Sequence, residues 1–369
     1  MKKNFFKIFL SIFVILFSIE IILNYLDKKQ NKTVQFGDHI QRNKNLDFAH
    51  ESIIQNGYDR IIKLNENKSN SHFYAFIGKN SKSFEYSPDF KKGFEIRVDE
   101  NGFIGNANSY NTNDFNIIFS GGSTTENRFV ENKYRFPHLV GEILKERKIN
   151  TYNDGNSGRS GLETIIKILS NNVDLKPKII VFYHNINSLN TLEQSYGFKY
   201  NKTILLNEKK IKKIKIQEII FPNIVKKINT IKNSEQNKTI RVRDYSSKKI
   251  KYMEKQFRRQ LDLFVSICRI YNIVPVLMTQ PSLMHDDITN DWIFFEGNKI
   301  KNVKNLVYLH RKFNSIIINF AKDKKILAID LADAYSWTSK ELYDGFHFSK
   351  EGNIIAAEYI AKKIIQNLF

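Results

Sequence analysis

The stretch Phe115-Asn116-Ile117-Ile118-Phe119-Ser120-Gly121-Gly122-Ser123-Thr124-Thr125 joins a short apolar run to a glycine pair and three successive hydroxyl residues. Phe115–Ser120 reads as a strand, the glycines permit a sharp turn, and a following helix would present its first N–H groups to Ser123. A hydroxyl exposed on such a turn suits nucleophilic chemistry. The competing reading is a loop that caps the next helix through Thr124 or Thr125. A phosphate-cradling loop would end in Gly-Lys-Ser/Thr, which is missing, and Thr125 stands where the α/β-hydrolase elbow has glycine.

Downstream, strand and helix patterns alternate. Phe136–Arg147 reads as a helix with Leu139, Val140, Ile143 and Leu144 on one face, Thr151–Asn153 as a short strand, and Leu162–Ser170 as a helix. Lys178–Tyr183 is apolar almost throughout, as a strand buried on both faces should be. Helix Ser246–Tyr271, strand Ile273–Thr279, helix Leu306–Lys322, strand Ile326–Leu331 and helix Gly352–Leu368 complete the series. The expected fold is α/β, a three-layer α/β/α sandwich around a mostly parallel sheet. The domain-sized unit runs over 111–369. Residues 30–110 form a stalk and a small hairpin region that packs on it, with strands at 73–78 and 94–98 and turn chemistry at Asp99–Gly102, between Val98 and Phe103. The alternation lapses twice. A Lys-rich insertion at about 190–245 suits a lid, an anionic partner or simply a solvated face. A second, at 285–305, carries Trp292, Phe294 and Phe295.

The chain has 369 residues, 41% of them hydrophobic, enough for a full core, and its formal charge is +20. That charge attracts anionic surfaces, yet no zinc knuckle, helix-turn-helix or RNP-like stretch accompanies it, so nucleic acid is not an expected partner. The single cysteine, Cys268, lies in an apolar helical stretch and suits a small buried role. Lys2, Lys3 and Lys7 precede an apolar segment over residues 8–26, which as a helix spans roughly 28 Å, enough for a bilayer's hydrocarbon core. With no small-x-small cleavage pattern following, residues 1–29 are expected to be an uncleaved single-pass anchor, the rest of the chain lying on the extracytoplasmic side.

Near the other end stand Asp344-Gly345-Phe346-His347, on a loop between the last strand and the last helix. That loop and the turn after Phe115–Ser120 should share the C-terminal edge of a parallel sheet, where ligands collect. A carboxylate beside an imidazole can hold one ring nitrogen and leave the other to deprotonate a serine. Asp344 as a turn cap and His347 as a surface residue are the plainer alternative. The remaining histidines show no paired ligand spacing, so neither a metal nor a cofactor is expected.

Taken together the motifs resemble the SGNH/GDSL hydrolase family, over about residues 90–369. Gly121-Gly122-Ser123-Thr124-Thr125 matches its nucleophile block in a Gly-Gly-Ser-Thr-Thr form. Asn153–Gly158 resembles the second block, Tyr183–Asn187 the third, and Asp344 with His347 the last. The resemblance implies a serine esterase in which Ser123, His347 and Asp344 are catalytic. It further implies that the N–H groups of Ser123 and Gly158 and the amide of Asn187 form the oxyanion hole. Asn185 and Ser188 depart from the glycine and aspartate usual in the third block, and Asn127 stands where many relatives have glycine.

With an anchor, the expected substrates are acylated glycans of the cell envelope, O-acetyl groups first, or lipid esters. Acyl transfer to a sugar hydroxyl is a variant of the same chemistry. A non-catalytic glycan-binding assembly protein, favoured by the altered third block and the basic insertion, is the alternative of another class.

Overall fold

The computed structural model of the protein describes residues 18–19, 64–75, 93–105, 110–194, 246–284, 293–294, 298–299 and 303–369. An antiparallel ribbon of β1 (His72–Ala75) and β2 (Phe94–Arg97) comes first. The main body then runs through β3 (Phe115–Gly121), α1 (Ser123–Glu126), α2 (Phe136–Leu144), β4 (Ile149–Gly155), α3 (Gly161–Lys167), β5 (Ile179–Tyr183) and α4 (Ile186–Gln194). It continues with α5 (Ser247–Ile270), β6 (Val274–Met278), the two-residue pair β7 (Ile293–Phe294) and β8 (Asn298–Lys299), α6 (Val303–Lys324), β9 (Leu327–Ile329) and α7 (Lys350–Leu368).

The central sheet has the order β4-β3-β5-β6-β9 and every pairing in it is parallel. The chain first steps from β3 to β4 and later proceeds through β5 in the opposite direction. That reversal opens a crevice at the C-terminal ends of β3 and β5, where open α/β sheets bind their ligands. Ser123 follows the end of β3 at Gly121, and Asn187 lies in the first turn of α4, just beyond the end of β5 at Tyr183.

Two cores hold the sheet. In β5, Ile179, Val181 and Tyr183 join Phe136, Val140, Ala356 and Ile360 of α2 and α7. Ile180 and Phe182 point the other way, to Phe257, Phe264 and Phe313 of α5 and α6. Both faces are therefore covered, which is why a strand needs an unbroken apolar run here and not an alternating one. Phe257 and Phe313 stack at 4.2 Å between α5 and α6, an arrangement worth about 0.5–1.5 kcal/mol beyond the area it buries. Cys268 is buried in that core, and burial raises its thiol to about 12.

Several elements differ from the sequence expectation, among them the strand expected over 326–331, which spans only Leu327–Ile329. β4 runs seven residues instead of three, because Asn150 and Asp154 find partners inside the fold: Asn150 bonds Asp114 and Asn116, and Asp154 bonds Ser120, Arg159 and Asn172. The helix expected over 162–170 ends at Lys167 and widens into a π turn, Ile168–Asn172, which brings Asn172 Nδ2 to 2.9 Å from Asp154. The helix expected over 136–147 tightens to a 3-10 turn at Lys145–Arg147, and Lys148 then takes a left-handed φ of 58° as the chain reverses.

The expected turn follows β2 and reverses the chain so that Ile104 pairs with Val98; within it Asp99 Oδ1 accepts from the N–H groups of Asn101 and Phe103. It is joined to edge strand β4 by the Ile104 N–H bonding Asn153 O at 2.9 Å. The expected anchor lies outside the described residues except for Ser18 and Ile19, which are helical. So do the stalk to residue 63, the strand end at 76–78, the Lys-rich stretch over 195–245, Trp292 and Phe295. No helix among the described residues is long and apolar enough to cross a membrane.

Candidate active site

β3 delivers Ser123 to the sheet's C-terminal edge, and the loop before α7 delivers Asp344 and His347 to the same place. Ser123 Oγ lies 2.8 Å from His347 Nε2, and His347 Nδ1 lies 2.7 Å from Asp344 Oδ2. The other carboxylate oxygen, Oδ1, accepts from the N–H groups of Phe346 and His347, both at 2.8 Å. The turn that positions the carboxylate is therefore built from the residues between the pair, and the three-residue spacing follows from it. Asp344 accepts from Nδ1–H, which fixes the tautomer and leaves Nε2 as an acceptor for the serine proton. The two side chains are 7% and 12% exposed, so water competes little for their bond.

The loop itself is pinned at several points. Tyr343 N–H bonds His347 O, Leu283 N–H bonds Gly345 O, and Asn353 of α7 accepts from the Phe136 N–H while donating to Ser349 O. The Tyr343 ring lies parallel to the imidazole at 5.6 Å. Burial, and next the Asp344 charge, raise its hydroxyl well above the ordinary value, so this partner stays neutral.

Asn187, one of the expected oxyanion donors, lies against Gly122 in the nucleophile's turn. Asn187 Nδ2 donates to Arg159 O at 3.0 Å. It also sits 2.0 Å from the point a Cβ on Gly122 would take, so only glycine at 122 lets the amide reach the nucleophile's turn. An amide nitrogen has two protons, and the second is available to a ligand. Ser123 opens α1, so its N–H has no intrahelical acceptor. Gly158 has φ +78°, and its N–H has no acceptor among the described residues. Arg159 O, one residue on, would lie 3.2 Å from the same Cβ on Gly122, so the second block reaches the nucleophile's side.

Polar side chains that no motif marked hold these loops. Glu126, wholly buried, receives two nitrogens of Arg128 and the Ser157 hydroxyl, joining the nucleophile helix to the second block. Gln280 donates to Thr124 Oγ1 at 3.0 Å and accepts from the Ile186 N–H at 3.0 Å, joining that helix to the third block. Asp154 and Arg159 form a fully buried pair at 3.0 Å. Burial alone would raise the Asp154 carboxyl, but the charges of Arg159 and Lys167, with the hydrogen bonds from Asn172 and Arg159, together outweigh it and hold the group below its usual range. Burial lowers the imidazoles of His184 and His310 to about 3, so both are neutral; they bond Thr164 and Gln280.

No family model matches this chain, and no curated protein matches it. Solved structures to which this chain is similar include a GDSL-like lipase from Bacteroides thetaiotaomicron. It is 13% identical, with 70% of this chain and 93% of that one covered, at a TM-score of 0.42. A lipase/acylhydrolase from Enterococcus faecalis is 16% identical over 68% and 94%, at 0.39. A catalytic mutant of an acetylxylan esterase from Geobacillus stearothermophilus is 14% identical over 68% and 94%, at 0.40.

Proposed function

We propose that the protein is a serine esterase of the SGNH/GDSL type. The observation that carries this reading is the unbroken relay from Ser123 Oγ through His347 to Asp344, with the Asn187 amide against the same turn. In the proposed reaction His347 Nε2 takes the Ser123 proton as Oγ attacks an ester carbonyl, and Asp344 stabilises the imidazolium. The N–H groups of Ser123 and Gly158 and the Asn187 amide receive the developing oxyanion. Collapse breaks the bond to the alcohol, which leaves with the proton from His347. Water, deprotonated by the same imidazole, then releases the acid and restores Ser123.

The proposed setting is the outer face of a membrane, with residues 8–26 as the anchor and O-acetyl groups of envelope polysaccharide as the substrate. The apolar N-terminal segment supports this choice. The test is to incubate the full chain in detergent with O-acetylated polysaccharide and with long-chain lipid esters, measuring free acetate and fatty acid, beside Ser123→Ala. Acetate release that disappears in the variant is the expected result. Fatty acid release alone would move the substrate to lipid, and equal fluorophosphonate labelling of wild type and Ser123→Ala would end the esterase reading.

A further inference from the structure

Residues 64–67 lie against the Gly155–Arg159 turn and bond it at both ends. Asn65 Nδ2 donates to Ser157 O at 2.6 Å, and Asn65 O accepts from Arg159 Nε at 2.8 Å. Asn67 Nδ2 donates to Gly155 O at 2.8 Å. The Asn156 amide bonds this segment in either orientation. As placed it meets Asn67 Oδ1 at 2.7 Å; with oxygen and nitrogen exchanged it meets Asn65 Oδ1 at 2.8 Å and the Asn67 N–H at 3.1 Å.

The bond to Ser157 O has a particular geometric effect. That carbonyl and the Gly158 N–H belong to one planar trans peptide unit, so they point in opposite directions. A donor that fixes the oxygen fixes the N–H on the far side, and it polarises that N–H as well. We propose that Asn65 is a positioning residue for the oxyanion hole: its amide grips the back of the Ser157–Gly158 peptide and aims the Gly158 N–H toward the ester oxygen. Glu126 holds the Ser157 hydroxyl from the nucleophile's side, so the peptide is clamped between the two. At φ +78° and exposed, Gly158 has no side chain of its own to hold it. The segment that does so lies 58 positions before Ser123, upstream of every motif of the site.

This inference rests on the esterase reading and is tested separately from it. Asn65→Asp keeps the shape of the side chain but replaces the donor with an acceptor facing Ser157 O; Asn65→Ala removes it. In the full chain both are expected to lower kcat and kcat/KM for a p-nitrophenyl ester together by about 10- to 100-fold, with KM within about twofold. Affinity for a trifluoromethyl ketone, whose adduct carries the tetrahedral oxyanion, is expected to fall in parallel. Residues 153–160 should exchange amide hydrogens faster in the variants while the rest of the sheet does not. A merely structural role would lower the melting temperature and leave kcat of the folded fraction unchanged; that result, in either variant, overturns the proposal. If the wild type hydrolyses no ester, the esterase reading fails, and unchanged exchange over 153–160 then overturns the positioning role as well. If Asn65→Asp does not fold, Asn65→Ala gives the same decision.

Discussion

Replacing Asn187 by alanine isolates one of the proposed oxyanion donors with little disturbance elsewhere. The amide nitrogen has one proton engaged by Arg159 O at 3.0 Å and lies against Gly122, which leaves its second proton for a ligand. Removing one such donor costs about 3 kcal/mol of transition-state stabilisation, or roughly 100-fold or more in kcat. The cost in stability is smaller, because only Arg159 O loses a partner, about 1 kcal/mol. That corresponds to about 2–4 °C in melting temperature for a domain of this size. A rate measured well below the transition therefore reports chemistry and not unfolding. Steady-state hydrolysis of p-nitrophenyl acetate, with active sites counted by fluorophosphonate titration, separates the two. Because the bond strengthens only as the oxygen gains charge, kcat and kcat/KM should fall together and KM should hold. Folded Asn187→Ala turning over within about threefold of wild type would refute the arrangement of donors described here.

Asp344→Asn keeps an acceptor for the Phe346 and His347 N–H groups but no longer favours the required tautomer, so kcat at neutral pH should fall by about 10⁴-fold with the fold intact by circular dichroism. Asn127 sits at φ 45° and its buried side-chain amide has no partner among the described residues, so Asn127→Gly should leave stability unchanged or raise it, whereas Asn127→Ala should lower it by about 1 kcal/mol in urea melts. His184 is held to about 3 in the fold against 6.5 unfolded, so the unfolded chain binds the extra proton between those values. Its contribution is complete above about pH 6.5 and is lost as pH falls toward 3. His184→Gln should flatten the stability–pH slope by about 1.4 kcal/mol per pH unit in that window, read from urea midpoints between pH 4 and 7.

The parts of the site that could be read from sequence are those whose geometry is local. The Asp344–His347 pair is three residues apart because the carboxylate closes a turn on the N–H groups between them. Ser123 follows an apolar strand directly, so its place at the sheet edge follows from the strand's direction. The supporting residues had no such signal. Asn65, Glu126, Arg159 and Gln280 are of types that usually face water, and each meets its partner across 28 to 156 positions or through a loop with no periodicity. The strand at 149–155 shows only its middle in the sequence for the same reason. Its polar residues break the apolar run, and only the folded chain brings Arg159 and Asn172 to Asp154.

The departures in the third block have a structural account that leaves the nucleophile untouched. Asn185, where glycine is usual, directs its amide away from Ser123 and onto α6, to His310 O at 2.9 Å and Asn314 Oδ1 at 2.7 Å. Ser188, where aspartate is usual, bonds Gln260 of α5 and receives the Gly161 N–H that opens α3. Both side chains tie the start of α4 to its neighbouring helices, and Asn187 between them keeps its amide on the crevice side. Asn127 is similar: the left-handed backbone there is the conformation glycine adopts at no cost, and asparagine is the side chain that tolerates it best. The substitutions that favoured a non-catalytic protein thus alter how the loops are fastened, while the relay and the donor remain within hydrogen-bonding reach.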